Sequence, residues 1–492
     1  MTRTVGLTRS LSTLALAGCC AGLMAIMAPS AFGQTQLTLP SSAQSNAQRI
    51  DEMFSRWQGP DSPGVAVLVL QNGQAAFAKG YGMADIEHGI TMTPRSLFDV
   101  ASLSKQFCAM SIALLEAEGK LSLSDDARKY VPELANFGTV ITIDHLIHHT
   151  SGLRDWPDAL HMAGWNFEDV ISYQQILRFA FSQRALNFVP GAEYTYSNTG
   201  YNILALIVER VSGQTFRQFT DARIFTPLGM TNTHFHDDHD DVIIGRAESY
   251  RAGAGTSVLK VPSNLTALGS SSLFTTAEDL ARWVHNYESP TVGDARIIAR
   301  LHERFVLTNG DTTTYAFGQI IENYRGFKRV SHSGSWAGFR VAIQRFPDQQ
   351  FAVIVLSNTT AINPVSSATR IVDFYLGERM SPAQTPVVSN PAPATATYTP
   401  NPADMSAYVG RYESDELSTF WTVSVRNGAL VVSHFRAGDV EMRPLARDTF
   451  RAGVLGDIAF KRNATGRIEA FTASTARARN VRFDRVPERP AR

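Results

Sequence analysis

The stretch Ser102-Leu103-Ser104-Lys105 opens a strongly apolar segment that ends near Gly119. A serine hydroxyl is a weak nucleophile at neutral pH until a neighbouring group takes its proton. On a helix, a lysine three residues further along lies one turn away on the same face, within reach of that hydroxyl. The stretch therefore predicts a helix at whose start Ser102 is a nucleophile with the amine of Lys105 beside it.

Two later motifs give this short pattern its weight, because S-x-x-K recurs by chance in a chain of 492 residues. Tyr196-Ser197-Asn198 follows the turn signal Pro190-Gly191 and precedes an apolar helical segment, so we expect it in a loop. His332-Ser333-Gly334 lies among strand-like runs, of which residues 351–356 form the clearest. The order is serine and lysine, then tyrosine and asparagine, then a basic residue two positions before a glycine.

This ordered set resembles the serine β-lactamase and penicillin-binding protein superfamily, whose class A members carry S-x-x-K, S-D-N and K-T-G. The Tyr-Ser-Asn form resembles the class C β-lactamases and their relatives, the D-alanyl-D-alanine peptidases, D-amino-acid amidases and esterases. Four further segments resemble the family: residues 63–67, 79–85, 146–153 and 272–280. The resemblance covers residues 49–380.

The resemblance implies an α/β fold of the α+β type. We expect a mainly antiparallel sheet flanked by helices, with an inserted helical subdomain and the active site between the two, over residues 49–380. Residues 381–403 are rich in Pro, Ala, Thr and Ser and predict an extended linker. Residues 404–492 alternate like strands and carry the hairpin signal Arg426-Asn427-Gly428. This last part resembles the small lipocalin-like antiparallel β-barrel appended to many members of the family.

The resemblance also implies a mechanism in which Ser102 Oγ attacks a carbonyl carbon and forms an acyl-enzyme. The catalytic set would be Ser102, Lys105 and Tyr196. Either Lys105 or Tyr196 could be the base, because a tyrosine that titrates at about 10 can act as one only if adjacent cations lower that value. Asn198 would hydrogen-bond Lys105 and a substrate amide, and the backbone N–H groups of Ser102 and Ser335 would form the oxyanion hole.

The residues expected to bind substrate are Asn198, His332, Ser333, Gly334 and Ser335. Lactamases of the family generally carry lysine where this chain has His332. A free histidine titrates at about 6.5, so we expect His332 to be a weaker, pH-dependent clamp for a substrate carboxylate. This difference favours a peptidase or amidase over an efficient β-lactamase.

The composition excludes some partners and indicates export. Lys+Arg and Asp+Glu both number 45, so no basic excess points to nucleic acid. Residues 1–33 combine early arginines with an apolar run and small residues before Gln34, as a signal peptide does. A lipid-bearing Cys19 is the alternative, and an uncleaved anchor would be marginal in length. We expect a periplasmic or secreted protein with a flexible polar segment at 34–48 and no membrane span in the mature chain.

Residues 234–241 hold three histidines and four aspartates, a composition that could ligate zinc. The stretch follows Pro227-Leu228-Gly229-Met230, where relatives have a surface loop, and the family mechanism needs no metal. We therefore expect a solvated loop, and neither a metal nor another cofactor. Cys108, within the apolar segment after Ser102, is expected to be a small core residue.

The sequence thus predicts an exported serine hydrolase that acts on D-amino-acid peptides of the kind found in cell walls. The nearest alternative is an esterase or a weak class C-like β-lactamase with the same machinery. An alternative of another class is a penicillin-recognising sensor or scaffold that does not turn over. The retention of Ser102, Lys105, Tyr196, Asn198 and Gly334 speaks against that last possibility.

Overall fold

The computed structural model describes residues 41–382 and 398–487, with side chains from residue 46 onward. The predicted leader (1–33), with Cys19, and most of the predicted linker (381–403) lie outside the described residues. The predicted flexible segment 34–48 overlaps a helix that begins at Ser41, so its second half is helical. Within the described ranges, no helix has both the length and the apolar character needed to span a bilayer.

An antiparallel sheet is the framework of the N-terminal part. The strands of that part are β1 (Val65–Gln71), β2 (Gln74–Tyr81), β3 (Met83–Asp85), β4 (Ile90–Thr91), β5 (Phe98–Asp99), β6 (His234–Phe235), β7 (Tyr250–Ala252), β8 (Val258–Lys260), β9 (Leu273–Thr275), β10 (Ile320–Tyr324), β11 (Phe327–Trp336), β12 (Phe339–Phe346) and β13 (Phe351–Ser357). Six of them pair in the order β10-β11-β12-β13-β1-β2. All five pairings are antiparallel, as predicted.

Helices cover both faces of this sheet. They are α1 (Ser41–Met53), α2 (Ser104–Ala117), α3 (Ile143–Ile147), α4 (Trp156–Met162), α5 (Tyr173–Ser182), α6 (Asn198–Ser212), α7 (Phe216–Thr220), α8 (Thr226–Leu228), α9 (Ala277–Glu288), α10 (Ala295–Arg300) and α11 (Pro364–Leu376). Alternate residues of a strand point to opposite faces. In β1, Val67 packs in a core with α1 and α11, whereas Leu68 packs in the core that holds α2, α6 and α9. The covering of both faces explains why β1 is an unbroken apolar run.

The C-terminal part is a nearly closed antiparallel barrel. Its strands are β14 (Gly410–Ser414), β15 (Thr419–Arg426), β16 (Ala429–His434), β17 (Gly438–Glu441), β18 (Arg443–Ala446), β19 (Thr449–Ala452), β20 (Gly456–Arg462), β21 (Ile468–Ser474) and β22 (Val481–Val486). They pair in the order β17-β16-β15-β14-β22-β21-β20-β19-β18. The predicted hairpin joins β15 to β16, where Asn427 and Gly428 both have positive φ, as a type I′ turn requires. Buried aromatic side chains, among them Trp421 and Phe471, fill the interior.

The barrel packs against the N-terminal part through a shared buried cluster. Trp156 and Met162 of α4 lie in one apolar core with Trp421 of the barrel, and the Trp421 indole N–H donates to the Met162 carbonyl at 2.9 Å. Arg154 Nη1 pairs with Glu416 Oε1 at 2.8 Å, and the two side chains are only 1% and 6% exposed. Burial lowers the pKa of Arg154, and Glu416 counteracts that shift. Each charge of this pair therefore has an opposite charge as its partner in a place where water does not solvate it.

We expect Glu416→Ala to lower the free energy of unfolding by about 3 kcal/mol, because it leaves the buried Arg154 charge without its partner. Glu413→Ala is the matched control, since the Glu413–Arg411 pair is half-exposed on the same barrel and such pairs contribute about 0–1 kcal/mol. Urea unfolding followed by tryptophan fluorescence measures both variants. Equal midpoints for the two variants would contradict this account of the interface.

Candidate active site

Ser102 lies in a tight turn that precedes α2. Residues Ala101–Leu103 form a 3-10 turn, and Ala101 has a φ of 46°, a left-handed conformation that is uncommon for a residue with a side chain. Asp99 Oδ1 accepts the Ala101 N–H at 2.8 Å, and Asp99 Oδ2 accepts the Ser263 hydroxyl at 3.0 Å. Burial raises the pKa of Asp99 to about 6. This carboxyl group, which no motif indicated, holds the strained turn that presents Ser102.

Lys105 is fully buried beneath Ser102 and contacts three oxygen atoms. Its Nζ lies 3.2 Å from Ser102 Oγ, 2.7 Å from Asn198 Oδ1 and 2.7 Å from the Ser270 carbonyl. Burial lowers the pKa of Lys105 to about 7, although the negative charge of Asp155 acts in the opposite direction. The predicted contacts of Lys105 with Ser102 and Asn198 are both present.

The orientation of Asn198 is set by Asp155, a residue that sequence reasoning did not single out. Asp155 Oδ1 accepts the Asn198 backbone N–H at 2.6 Å, and Oδ2 accepts the Asn198 side-chain N–H at 3.0 Å. Because the amide nitrogen faces Asp155, the amide oxygen faces Lys105. Asp155 is completely buried, and burial raises its pKa to about 6. Its position just after the Ser-Gly-Leu segment carried no signal of this role.

Tyr196 lies beside the same group. Lys105 Nζ is 4.9 Å from the centre of the Tyr196 ring. Burial raises the pKa of Tyr196 well above its usual value, and a hydrogen bond with Ser102 acts in the opposite direction. His149 packs against the Tyr196 ring and its Nδ1 accepts the Ser197 N–H at 3.1 Å, so His149 supports the loop that carries Tyr196.

The expectation that His332 is a titrating clamp for a carboxylate is wrong. The ring is only 6% exposed, and burial lowers the pKa of His332 to about 3. Nδ1 lies 2.7 Å from the Ser333 carbonyl, which can only accept, so Nδ1 carries the proton. Nε2 then accepts the Tyr315 hydroxyl at 3.0 Å. His332 is therefore a neutral, buried ring at the edge of the cavity, with both nitrogens engaged by protein groups.

The strand that carries this motif runs along the nucleophile turn. Ser333 and Ser335 of β11 are exposed and line the same cavity as Ser102. A Cβ on Gly334 would lie well inside van der Waals contact with the Val100 carbonyl, so only glycine lets β11 approach the turn this closely. The backbone N–H groups of Ser102 and Ser335 stay the predicted oxyanion donors.

Together these residues border a cavity of about 750 Å³. Its lining includes Ser102, Tyr196, Asn198, His332, Ser333 and Ser335 of the predicted set. An aromatic wall of Trp156, Phe167 and Trp336 forms part of the surface. The indole N–H groups of Trp156 and Trp336 have no hydrogen-bond partner among the described residues. Both nitrogens are buried, so the cavity presents the apolar surface of these rings rather than their N–H groups.

Arg477 completes the lining from the loop between β21 and β22 of the barrel. Its Nη1 is 3.3 Å from Asp155 Oδ2, and its guanidinium carbon is 5.0 Å from the Tyr196 ring centre. No local pattern in the barrel sequence indicated this contribution, because the contact joins residues more than three hundred positions apart.

The histidine- and aspartate-rich stretch 234–241 lies apart from the cavity-lining residues. His234 and His236 pack against Phe274, and His234 belongs to β6 rather than to a loop. Asp238, His239 and Asp240 are exposed and bring ligand-type atoms within 4.8 Å of one another. Cys108 is buried and free, as expected of a core residue.

Comparison with known proteins agrees with this arrangement. Over 327 residues the chain is 29% identical to Protein flp of Staphylococcus aureus (strain N315), a match that covers 63% of each chain and therefore less than two thirds of that relative. The octameric penicillin-binding protein homologue from Pyrococcus abyssi has a TM-score of 0.60 and 22% identity, over 89% of this chain and 99% of its own.

A D-amino acid amidase from Ochrobactrum anthropi SV3, solved with L-phenylalanine amide, has a TM-score of 0.58 and 21% identity, over 69% of this chain and 100% of its own. At such identities the two solved structures show the shared fold alone. The family model described as Beta-lactamase matches residues 50–376, which hold all three motifs. The chain therefore belongs to the Beta-lactamase family, within the superfamily of serine β-lactamases and penicillin-binding proteins.

Proposed function

We propose that this protein is an exported serine hydrolase that forms an acyl-enzyme on Ser102 and acts on D-amino-acid peptides or amides. The contact of Lys105 Nζ with Ser102 Oγ at 3.2 Å is the observation that carries the proposal. Ser102 Oγ forms a bond to the substrate carbonyl carbon while its proton passes to Lys105. That proton then goes to the departing amine as the carbon–nitrogen bond breaks, and water hydrolyses the resulting ester.

The hydrogen bonds of Lys105 suit a neutral amine in the role of base. A neutral amine has two N–H donors and one lone pair. Asn198 Oδ1 and the Ser270 carbonyl can only accept, so they use the two donors. In this neutral form the lone pair can accept the Ser102 O–H, whereas the ammonium form donates to Ser102 Oγ. Tyr196, whose pKa burial raises, keeps its proton and is therefore not the base in this proposal.

The substrate class is supported by the cavity and by the relatives. The aromatic wall suits an apolar side chain of the substrate. Neighbours in fold include a penicillin-binding protein homologue and a D-amino acid amidase. The nearest alternative stays an esterase or a weak β-lactamase with the same machinery. Export is proposed from the leader-like residues 1–33.

Intact-mass spectrometry tests the nucleophile. We expect a phosphonate serine probe to add one adduct to the wild-type protein and none to Ser102→Ala, because Ser102 is the activated hydroxyl. Ser104→Ala is not a suitable control, since Ser104 Oγ bonds the Ala101 carbonyl of the turn. Ser289→Ala, a change at an exposed serine outside the cavity lining, should retain the adduct.

A fluorescent penicillin then separates the alternatives. A long-lived Ser102 adduct indicates a penicillin-binding peptidase, and rapid loss of the adduct indicates a lactamase. Labelling by the phosphonate alone favours an amidase or esterase. Absence of any Ser102-dependent adduct would overturn the hydrolase proposal in favour of a scaffold.

The pH dependence of labelling tests the base. The lowered pKa of Lys105 means that its neutral form increases as the pH rises through about 7. We expect the labelling rate with a neutral phosphonate to rise about tenfold between about pH 6 and pH 8. Tyr196→Phe should lower the rate but keep the inflection. A profile that is flat, or whose inflection disappears in Tyr196→Phe, would assign the base to another group.

A further inference from the structure

The loop between β21 and β22 is fixed to the hydrolase part by its backbone and by neighbouring side chains. The Arg477 N–H donates to Asp158 Oδ2 at 3.2 Å, and the Arg477 carbonyl accepts the Asp155 N–H at 3.0 Å. The same carbonyl accepts the Asn187 side-chain N–H at 2.9 Å. Thr475 Oγ1 donates to Asp158 Oδ2 at 2.6 Å. The backbone N–H and the carbonyl of Arg477 are thus both hydrogen-bonded to the hydrolase part, so the position of the Arg477 backbone is fixed.

The side chain of Arg477 keeps binding capacity that the protein does not use. One terminal nitrogen, Nη1, contacts Asp155 Oδ2, 43% of the side chain is exposed, and Arg477 lines the cavity. Within the described part of the chain, Nε and Nη2 make no hydrogen bond. A guanidinium group presents its N–H donors as a planar fork that matches a carboxylate. Arg477 therefore offers a charged donor pair next to Tyr196.

Lys105 and His332 do not take this role, and Arg340 is the competing cation on the lining. Lys105 is buried under Ser102 and engaged by three oxygen atoms. His332 is buried and has both nitrogens engaged. Arg340 lies at the Trp336 end and its Nη1 donates to the Ala337 and Phe339 carbonyls, so Arg340→Gln is the variant that distinguishes it from Arg477. The acids on the lining are Asp158, which is occupied by the barrel loop, and Glu168.

We propose that Arg477, supplied by the C-terminal barrel, is a substrate-binding residue of the Ser102 site and takes a carboxylate of the substrate. The inference rests on the proposed function. It assigns the barrel a part in substrate choice: the hydrolase part carries the nucleophile, and the barrel loop carries the cation that selects substrates with a free carboxylate. A site built this way is incomplete without residues 475–480.

The test measures binding rather than turnover. Ser102→Ala protein is titrated calorimetrically with N-acetyl-D-alanyl-D-alanine and with its C-terminal amide, which differ only in the charged group. We expect the acid to bind at least about tenfold more tightly than the amide, as a charge-assisted bidentate contact provides. Adding Arg477→Gln should remove that preference while leaving the affinity for the amide within about threefold. Arg477→Lys should keep part of the preference.

Arg479→Ala is the matched control, because Arg479 lies on the same loop but bonds Glu193 and Thr195 outside the cavity lining. It should keep the full preference for the acid. The inference would be overturned if the acid and the amide bound with equal affinity, or if neither bound. It would also be overturned if the preference for the acid survived Arg477→Gln, or if Arg340→Gln removed that preference instead. If Arg477 acted only through Asp155 or Lys105, both ligands would weaken alike. Failure of the proposed function would be seen in a separate experiment, because the wild-type protein would then form no Ser102-dependent adduct with the phosphonate probe.

Discussion

A lysine amine buried directly under the nucleophile is the constraint on which the rest of this site depends. An ammonium group removed from water is stabilised only if its donors find acceptors, and desolvation favours its neutral form. Lys105 meets both conditions, since three oxygen atoms surround it and its pKa falls to about 7. The same burial that makes Lys105 costly to keep charged lowers its pKa, which supports the proposal that Lys105 accepts the proton of Ser102 at neutral pH.

One acceptor of Lys105, the Asn198 amide, is oriented by residues that do not contact Lys105 themselves. Asp155 turns the Asn198 amide so that its oxygen faces the amine. Asp155 is in turn contacted by Arg477 of the barrel. One hydrogen-bonded chain thus runs from the nucleophile to the second part of the protein, and the buried Arg154–Glu416 pair lies next to it in sequence and fixes the same interface. The barrel is consequently part of the active-site structure rather than an independent appendage.

The sequence predicted the local features of this molecule well. Ser102, Lys105, Tyr196 and Asn198 were found because each lies in a short motif whose spacing reflects a helix turn or a loop before a helix. The Asn427-Gly428 hairpin was found because its backbone needs two positive φ angles. The antiparallel sheet and the barrel followed from the family resemblance and from strand-like alternation.

Features that depend on contacts distant in sequence were not predicted. Asp99, Asp155 and Arg477 act through partners that only the fold brings near, and no spacing rule reports them. The expected titration of His332 was wrong for a related reason. A histidine in a strand pattern gives no sign of whether its ring faces solvent or the core, and burial, not residue type, decides its pKa here.

The most direct test of this account is the pKa of Lys105 itself, measured by 13C NMR of lysine-labelled protein, with Lys105→Arg to identify the signal. We expect a titration midpoint near 7, far below that of an exposed lysine. A midpoint at about 10.4, the ordinary value for lysine, would show that the amine stays charged at neutral pH and cannot take the proton of Ser102.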